Sequence, residues 1–523
     1  MKIRGVYLAG LPGSHRKQVA EYLSRWLGWN ILDLQREVES RMHMGMLEIV
    51  EKELLEEFGK TERELIKEVE PGTIILSSDL LPSINELQIL QENGFIPVFL
   101  SSTKETLEKN LKEDPQAHPI LRIKSLEDYQ EELENLLPHM HNVPTEGFSD
   151  REVAIMITRI LRSDYSLIYS NGEKIYLGIN AFKDLSTLMD LEGFEDAFFI
   201  TYKRLFLIHF KWALDIMGNF KLPYDVLYLP DRESVKNLER AKELWKEFIK
   251  RKVSKFTPII ALGGGGTMDL TGFSASTFQG GMYLILIPTT FTAQVEAAIG
   301  GVNMLNLNGM KNILGTSYYP RFILLDPVFL LSLEDQEFRN SLSTAIKFGI
   351  LHDEEILEML ENNPEDFKNM YLPSLEVLIR KTALAKLQFI QKDIYGWKER
   401  RFIKFGWIIS SVLQDVMNIP YSRALAIGIK MALFMSLRRG ILKNKSIIER
   451  VNNLYRTYHI DASMKPIPDD KLREELEYLD SFYRSRIRII LIEDIGKPVM
   501  ETTTADELME VFAEFINNQE TPL

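Results

Sequence analysis

ALGGGGTMDLTGFSAST, residues 261–277, places four glycines between a buried apolar run, 258–262, and a polar segment of helix-forming character. Backbone bare of side chains just after a strand can approach a pyrophosphate closely, and the positive end of the helix behind it favours anions. Two more strand-to-turn units come after it, LILIPTT at 284–290 and GGVNMLNLNGMKNILG at 300–315. Apolar runs that end in polar residues along one edge describe the ligand crevice of an α/β fold.

Working outward, 523 residues are too many for one ordinary core, so two or three domains are expected. Hydrophobic residues at 45% and charged residues at 26% give a globular balance. The net charge of −13, with no long basic block, argues against a nucleic-acid surface. Cysteine is absent, which excludes disulfides and thiolate metal sites. The apolar run in MKIRGVYLAGLPG is too short for a signal peptide and reads as a first strand, and no apolar span reaches membrane length. A cytoplasmic protein with no membrane partner is the expectation.

Residues 1–163 read as a first α/β domain. Strands at 3–9, 29–33, 73–77 and 96–100 alternate with helical patterns to 27 and over 35–70, the signature of a parallel sheet with crossover helices. Between the first strand and helix lies Gly10-Leu11-Pro12-Gly13-Ser14-His15-Arg16-Lys17. This matches the spacing of the phosphate-binding loop G-x-x-x-x-G-K-[ST], which needs a glycine, a lysine on the β/γ-phosphates and a hydroxyl for Mg²⁺. Those three positions are here His15, Arg16 and Lys17. Arg16 keeps a charge in planar form, whereas Lys17 cannot ligate Mg²⁺, so ATP with Mg²⁺ is not expected. The bland alternative is a strand–turn–helix kept for folding.

This domain resembles shikimate kinase. The resemblance implies an Asp-x-Asp after the second strand, where the chain has Asp33-Leu34-Gln35, and a glycine triplet after the third, where it has Ser77-Ser78-Asp79. It implies an arginine after Phe58, which is Gly59, and a lid arginine ahead of Pro119-Ile120-Leu121, which is His118. Turn formers at 142–150 and an Asn-Gly pair at 171–172 suggest a linker over about 142–175.

Residues 164–330 read as a second, NAD-binding-type α/β domain with strands at 197–201 and 225–229, and 331–523 as a mainly helical domain with one late strand at 487–492. The motifs DRESVK (231–236), GGGGTMD (263–269), PTTFTAQVEAAIGGVN (288–303) and MKNILGTSYYPRFILLD (310–326) occur in the order found in 3-dehydroquinate synthase, which this region resembles. That enzyme uses NAD and a divalent metal, usually zinc, to convert a seven-carbon sugar-acid phosphate into 3-dehydroquinate, a carbon–oxygen lyase reaction. With the kinase-like part in front, the whole resembles the bifunctional shikimate kinase/3-dehydroquinate synthase of aromatic amino-acid and chorismate biosynthesis.

The resemblance assigns residues position by position. Asp231, Glu233 and Lys236, with Gly264, Gly265, Asp269, Thr289, Thr290 and Lys311, fall on cofactor positions; Arg232 and Met268 stand where the family has glycines. Lys347, Lys386, Arg400 and Asn306 fall on substrate-binding positions, and Asn312 keeps the turn beside Lys311. The implied metal ligands, a glutamate and two histidines, are Thr344, Trp407 and Tyr421, and an implied catalytic histidine is Ser411. Val302 and Gly280 replace a lysine and an arginine. The acidic run His352-Asp353-Glu354-Glu355 reads as an ordinary helix start rather than a substitute metal site. Zinc is therefore expected to be absent, with NAD or a small anion as the expected ligand. A homodimer and a pathway-enzyme partner both stay open. Two functions are compatible with these residues: a catalytically impaired homologue acting as scaffold, partner or ligand sensor, or an active NAD-dependent phosphate-eliminating cyclase with a rearranged site.

Overall fold

The computed structural model describes residues 3–112, 118–170, 172–216, 218–230, 236–308, 310–464, 467–484 and 486–517. The chain forms two compact units, one of residues 1–162, 208–217 and 369–372, the other of residues 163–207, 218–368 and 373–523.

The first unit is built on a parallel sheet of β1 (Gly5–Gly10), β2 (Asn30–Asp33), β3 (Thr73–Leu76), β4 (Phe95–Ser101) and β5 (His141–Pro144), in the order β2-β3-β1-β4-β5. Every residue of β1 and β3 is buried, as continuous apolar runs in a parallel sheet covered on both faces require. β1 leads through the 10–15 loop into the helix Arg16–Leu27, which turns Val19, Ala20, Leu23 and Trp26 inward at helical spacing.

The stretch 142–150 is not a linker. Its first residues pair with β4 as β5, and its serine starts a helix. Ser149 and Glu152 form a capping box for the helix Asp150–Ile160, whose residues from Val153 to Ile160 are all buried. The turn formers that suggest a linker are the loop residues of one tight strand-to-helix connection, with Gly147 at φ 76°. Of the Asn-Gly pair, Asn171 lies outside the described residues and Gly172 turns a hairpin at φ 84°.

The second unit carries a seven-stranded sheet. Its strands are β6 (Ser166–Ser170), β7 (Glu173–Leu177), β8 (Ala197–Thr201), β9 (Tyr224–Tyr228), β10 (Ile259–Gly263) and β11 (Leu284–Pro288). A separate hairpin of β12 (Val302–Leu307) and β13 (Met310–Ser317) comes next, and β14 (Phe322–Leu325) returns to the sheet. The order is β6-β7-β14-β11-β10-β8-β9, parallel except for the β6–β7 hairpin.

The C-terminal part is helical, as expected, with Asp335–Leu351, Leu372–Lys392, Trp407–Met417, Tyr421–Arg438 and Ser446–Tyr458 among its helices. Two elements escape sequence reading. The helix Asp469–Phe482 buries only Leu472 and Leu476, and β16 (Lys497–Thr503), which pairs with β15 (Ile487–Asp494), lacks a clean alternation. No helix among the described residues is long and apolar enough to cross a membrane.

Candidate functional site

β10 ends at Gly263, and the helix Gly265–Thr277 begins with Gly264 as its N-cap. Glycine serves space here rather than a left-handed backbone: Gly264 is extended at φ −80°, while a Cβ on Gly263 would stand 2.6 Å from the Thr267 hydroxyl. A Cβ on Gly264 would meet Thr290 at 3.3 Å, and one on Gly265 would meet Ala297 at 3.4 Å. The Thr289 amide donates to the Gly263 carbonyl at 2.8 Å, and the Thr290 hydroxyl accepts from the Ala293 amide at 3.2 Å. The ends of β10 and β11 thus meet at the positive end of a helix.

Asp269, one turn into that helix, accepts from the Met304 amide at 2.8 Å and pairs with Lys236 at 2.5 Å. The Lys236 carbonyl accepts from the Asn306 amide at 3.0 Å, and the Asn306 side chain accepts from the Asn312 amide at 3.0 Å. Asn312 sits at φ 53°, and its side-chain carbonyl is buried without a hydrogen-bond partner. Lys311 lies next to this group but bonds Asp415 at 2.8 Å. Asp231 and Glu233 lie outside the described residues.

Lys347, Lys386 and Arg400 converge on the turn 296–300. The Lys347 ammonium, 1% exposed, bonds the Glu296 carboxylate at 2.6 Å. Lys386 donates to the carbonyls of Glu296 and Ile299, the latter at 2.8 Å. Arg400 donates to the Gly300 carbonyl at 2.7 Å. The Gly300 amide in turn donates to the buried Glu173 carboxylate at 2.9 Å. Burial lowers the Lys386 ammonium to about 8, helped by Arg400 and Lys347 and opposed by Glu296 and Glu173. Burial also raises the Glu173 carboxyl, against the Gly300 amide and the charges of Lys386 and Arg400. Glu296 keeps one buried oxygen without a hydrogen-bond partner.

Sequence reasoning passes over Glu296 and Glu173. Glu296 is part of the quoted 288–303 motif, yet a glutamate on a short helical turn looks like any surface charge until Lys347 is seen beside it. Glu173 comes just after the Asn-Gly turn and gives no sequence signal of burial.

The implied metal positions hold no suitable donors. Thr344 is fully buried and shares a 3.0 Å hydroxyl–hydroxyl bond with Thr292. Trp407 opens the helix Trp407–Met417, and the Ser411 hydroxyl donates to the Ile408 carbonyl at 2.8 Å. Burial and the nearby Glu296 charge push the Tyr421 phenol well above its usual range, so it stays protonated. Neutral hydroxyls and an indole do not make a set for a divalent ion, which needs imidazole, carboxylate or thiolate. No group of three or more His, Asp or Glu that could hold a metal occurs among the described residues.

In the first unit, Arg16 does not reach outward from its loop. Its guanidinium donates to the Ser77 hydroxyl at 2.7 Å, the Ser78 carbonyl at 2.8 Å and the Asp79 carboxylate at 2.7 Å. The second Asp79 oxygen bonds His118 at 2.7 Å, and the Tyr129 hydroxyl donates to the Asp79 carbonyl at 2.7 Å. Burial opposes ionisation of Asp79, but His118 and Arg16 outweigh it and hold the carboxyl below its usual value. His15 caps the helix in the left-handed region at φ 56° and faces Asp150 at 3.3 Å. Behind this network Glu62 is pushed up to about 7 by burial, opposed by hydrogen bonds to Ser78. One Glu62 oxygen is buried without a hydrogen-bond partner, and Gly59 stands where the family resemblance implies an arginine.

Three family models match the chain: shikimate kinase over residues 12–161, 3-dehydroquinate synthase N-terminal over 226–340 and 3-dehydroquinate synthase C-terminal over 342–480. The 3-dehydroquinate synthase of Chlamydia abortus is 31% identical over 297 residues, which cover 53% of this chain and 77% of that protein. The bifunctional shikimate kinase/3-dehydroquinate synthase of Thermotoga maritima is 24% identical over 516 residues, 97% of this chain and 99% of the other. Among solved structures, the 2-epi-5-epi-valiolone synthase of Streptomyces hygroscopicus subsp. jinggangensis, with NAD+ and Zn2+ bound, has a TM-score of 0.61 at 20% identity, over 68% of this chain and 99% of that one. A 2-deoxy-scyllo-inosose synthase with carbaglucose-6-phosphate, NAD+ and Co2+ has a TM-score of 0.59 at 21% identity, over 68% of this chain and 100% of the other. At these identities the structures show the shared fold.

Proposed function

The chain belongs to the 3-dehydroquinate synthase family, with a shikimate kinase segment ahead of the synthase domains, and we infer that it is a catalytically impaired member of the shikimate pathway's bifunctional type. Its role on this reading is that of a scaffold, partner or ligand sensor. The observation that carries it is the donor set at the metal positions, Thr344, Trp407 and Tyr421, with the Thr344 hydroxyl already bonded to Thr292. A metal in the family's reaction polarises the alcohol that NAD oxidises. Here the positions that would hold the Lewis acid carry a hydroxyl, an indole and a phenol, and Ser411 replaces the expected histidine. Each lost contribution of about 1.4 kcal/mol costs roughly tenfold in rate.

The retained positions support ligand binding. The glycine turn with Thr289 and Thr290 suits the pyrophosphate of NAD, and Lys347, Lys386 and Arg400 suit an anionic ligand.

The convergence of those three cations also favours a second reading, an active cyclase with a rearranged site. Metal analysis of the purified protein, with turnover of the seven-carbon substrate in the presence of NAD, separates the outcomes. No bound metal, no turnover and a thermal shift with millimolar NAD are expected. Stoichiometric zinc with turnover overturns the first reading; chelator-insensitive turnover selects the second.

A further inference from the structure

The 10–17 loop of the first unit has the spacing of a phosphate-binding loop and carries a cation at the start of its helix. Its second glycine, Gly13, is at φ 88°, and the Asn110 side-chain amide donates to the Gly13 carbonyl at 2.9 Å. The Ser14 hydroxyl is buried inside the loop without a hydrogen-bond partner, close enough to β1 that a Cβ on Gly10 would meet it at 2.3 Å. Arg16, the cation at the first helical position, is 11% exposed and faces the carboxylate of Asp79, which is 1% exposed. A carboxylate and a phosphoryl group present the same kind of partner to a guanidinium, an anionic oxygen that accepts a charge-assisted hydrogen bond. Asp79 uses one oxygen on Arg16 and the other on His118, so the anion is held from both sides.

We propose that the phosphate-type loop of the first unit is a self-occupied anion site, in which the Asp79 carboxylate takes the place of a phosphoryl group on Arg16. His118 clamps this internal anion, and a phosphate-bearing ligand enters only where Asp79 gives way. Three independent features point the same way: the left-handed glycine loop, the orphaned Ser14 hydroxyl within it, and a buried cation whose charged partner is a side chain just beyond the end of β3. The inference extends the reading of an impaired kinase-like unit by naming the group that blocks it, and rests on that reading for this unit alone.

The test is charge removal and then rescue with inorganic phosphate or ATP on the full chain. Asp79→Asn keeps the shape and removes the anion. Its melting temperature is expected to fall and to recover with millimolar phosphate or ATP, by more than any shift that the anion positions of the second unit give the wild-type protein. Calorimetry is expected to give at least tenfold tighter ATP binding to Asp79→Asn than to wild type. Adding Arg16→Met to Asp79→Asn is expected to abolish the recovery.

The proposal falls if wild type binds phosphate or ATP as tightly as the variant, or if folded Asp79→Asn shows no rescue. Should Asp79→Asn not fold, His118→Asn releases only the clamp; a smaller phosphate-dependent rise supports the proposal, and its absence overturns it. Kinase turnover by the wild-type chain would sink this inference together with the impairment of the first unit. Synthase turnover alone would sink the impairment of the second unit and leave this inference standing.

Discussion

The loop at 10–17 and the loop at 263–269 both carry a buried parallel strand through glycines into a helix, and they treat charge differently. In the first, the cation belongs to the turn itself: Arg16 is the first residue of its helix, and Asp79 and three backbone or hydroxyl oxygens hold it down. In the second, the turn carries no ionised side chain before Asp269, and the cation is Lys236, brought in beside the β12–β13 hairpin. A buried charge within a turn becomes part of the fold, whereas an uncharged turn leaves its helix terminus to a ligand. The same local design thus ties a cation into one unit and carries no ionised side chain ahead of the helix in the other.

The strongest way to break this contrast is Arg16→Ala. Asp79 would keep His118 but lose its guanidinium while buried, and a loss of about 3–5 kcal/mol is expected. Denaturant unfolding, with hydrogen exchange in the helix Arg16–Leu27, measures it; a cost below about 1 kcal/mol would mean the pair is no more than a surface bridge.

A second probe is pH. Glu62 is raised from 4.5 to about 7, so the folded first unit holds more protons than the unfolded chain across that window. The stabilisation is complete below the unfolded value and is lost as pH rises through about 7, a swing of about 3 kcal/mol. Glu62→Gln should flatten this dependence relative to wild type; an unchanged slope would place the titration elsewhere.

Gly263→Ala tests the other loop. The added carbon crowds the Thr267 hydroxyl, and a loss of about 1–3 kcal/mol is expected in thermal unfolding. Combining it with Thr267→Ala should recover part of that loss, which a backbone effect would not allow. The smallest effect belongs to Asp415→Ala: the Lys311 pair is partly exposed, and about 0–1 kcal/mol should be lost, with added salt narrowing the difference.

The fold was readable where periodicity and glycine punctuation were strong. β1, β3, β10 and β11 are continuous apolar runs, and the long helices show their 3.6-residue stripes. The connection at 142–150 misleads because Ser149 and Gly147 do the same work in a helix cap as in a linker. The cations Lys347, Lys386 and Arg400 could be placed by motif, but their partners could not. Asp79 is 63 residues from Arg16, and Glu296 is 51 from Lys347, separations that no local pattern spans.

At one turn of the second unit, length is expected to matter more than composition. Ala293–Ala297 is π-helical, wider than an α-helical turn, and Glu296 meets Lys347 from within it. Removing a single residue there would relax the widening into an ordinary turn and rotate the residues beyond it by about 100°. Glu296 would swing off Lys347, and the carbonyls that hold Lys386 and Arg400 would move with it. Many substitutions around this crevice should be survivable, but an in-frame deletion of one codon should not be.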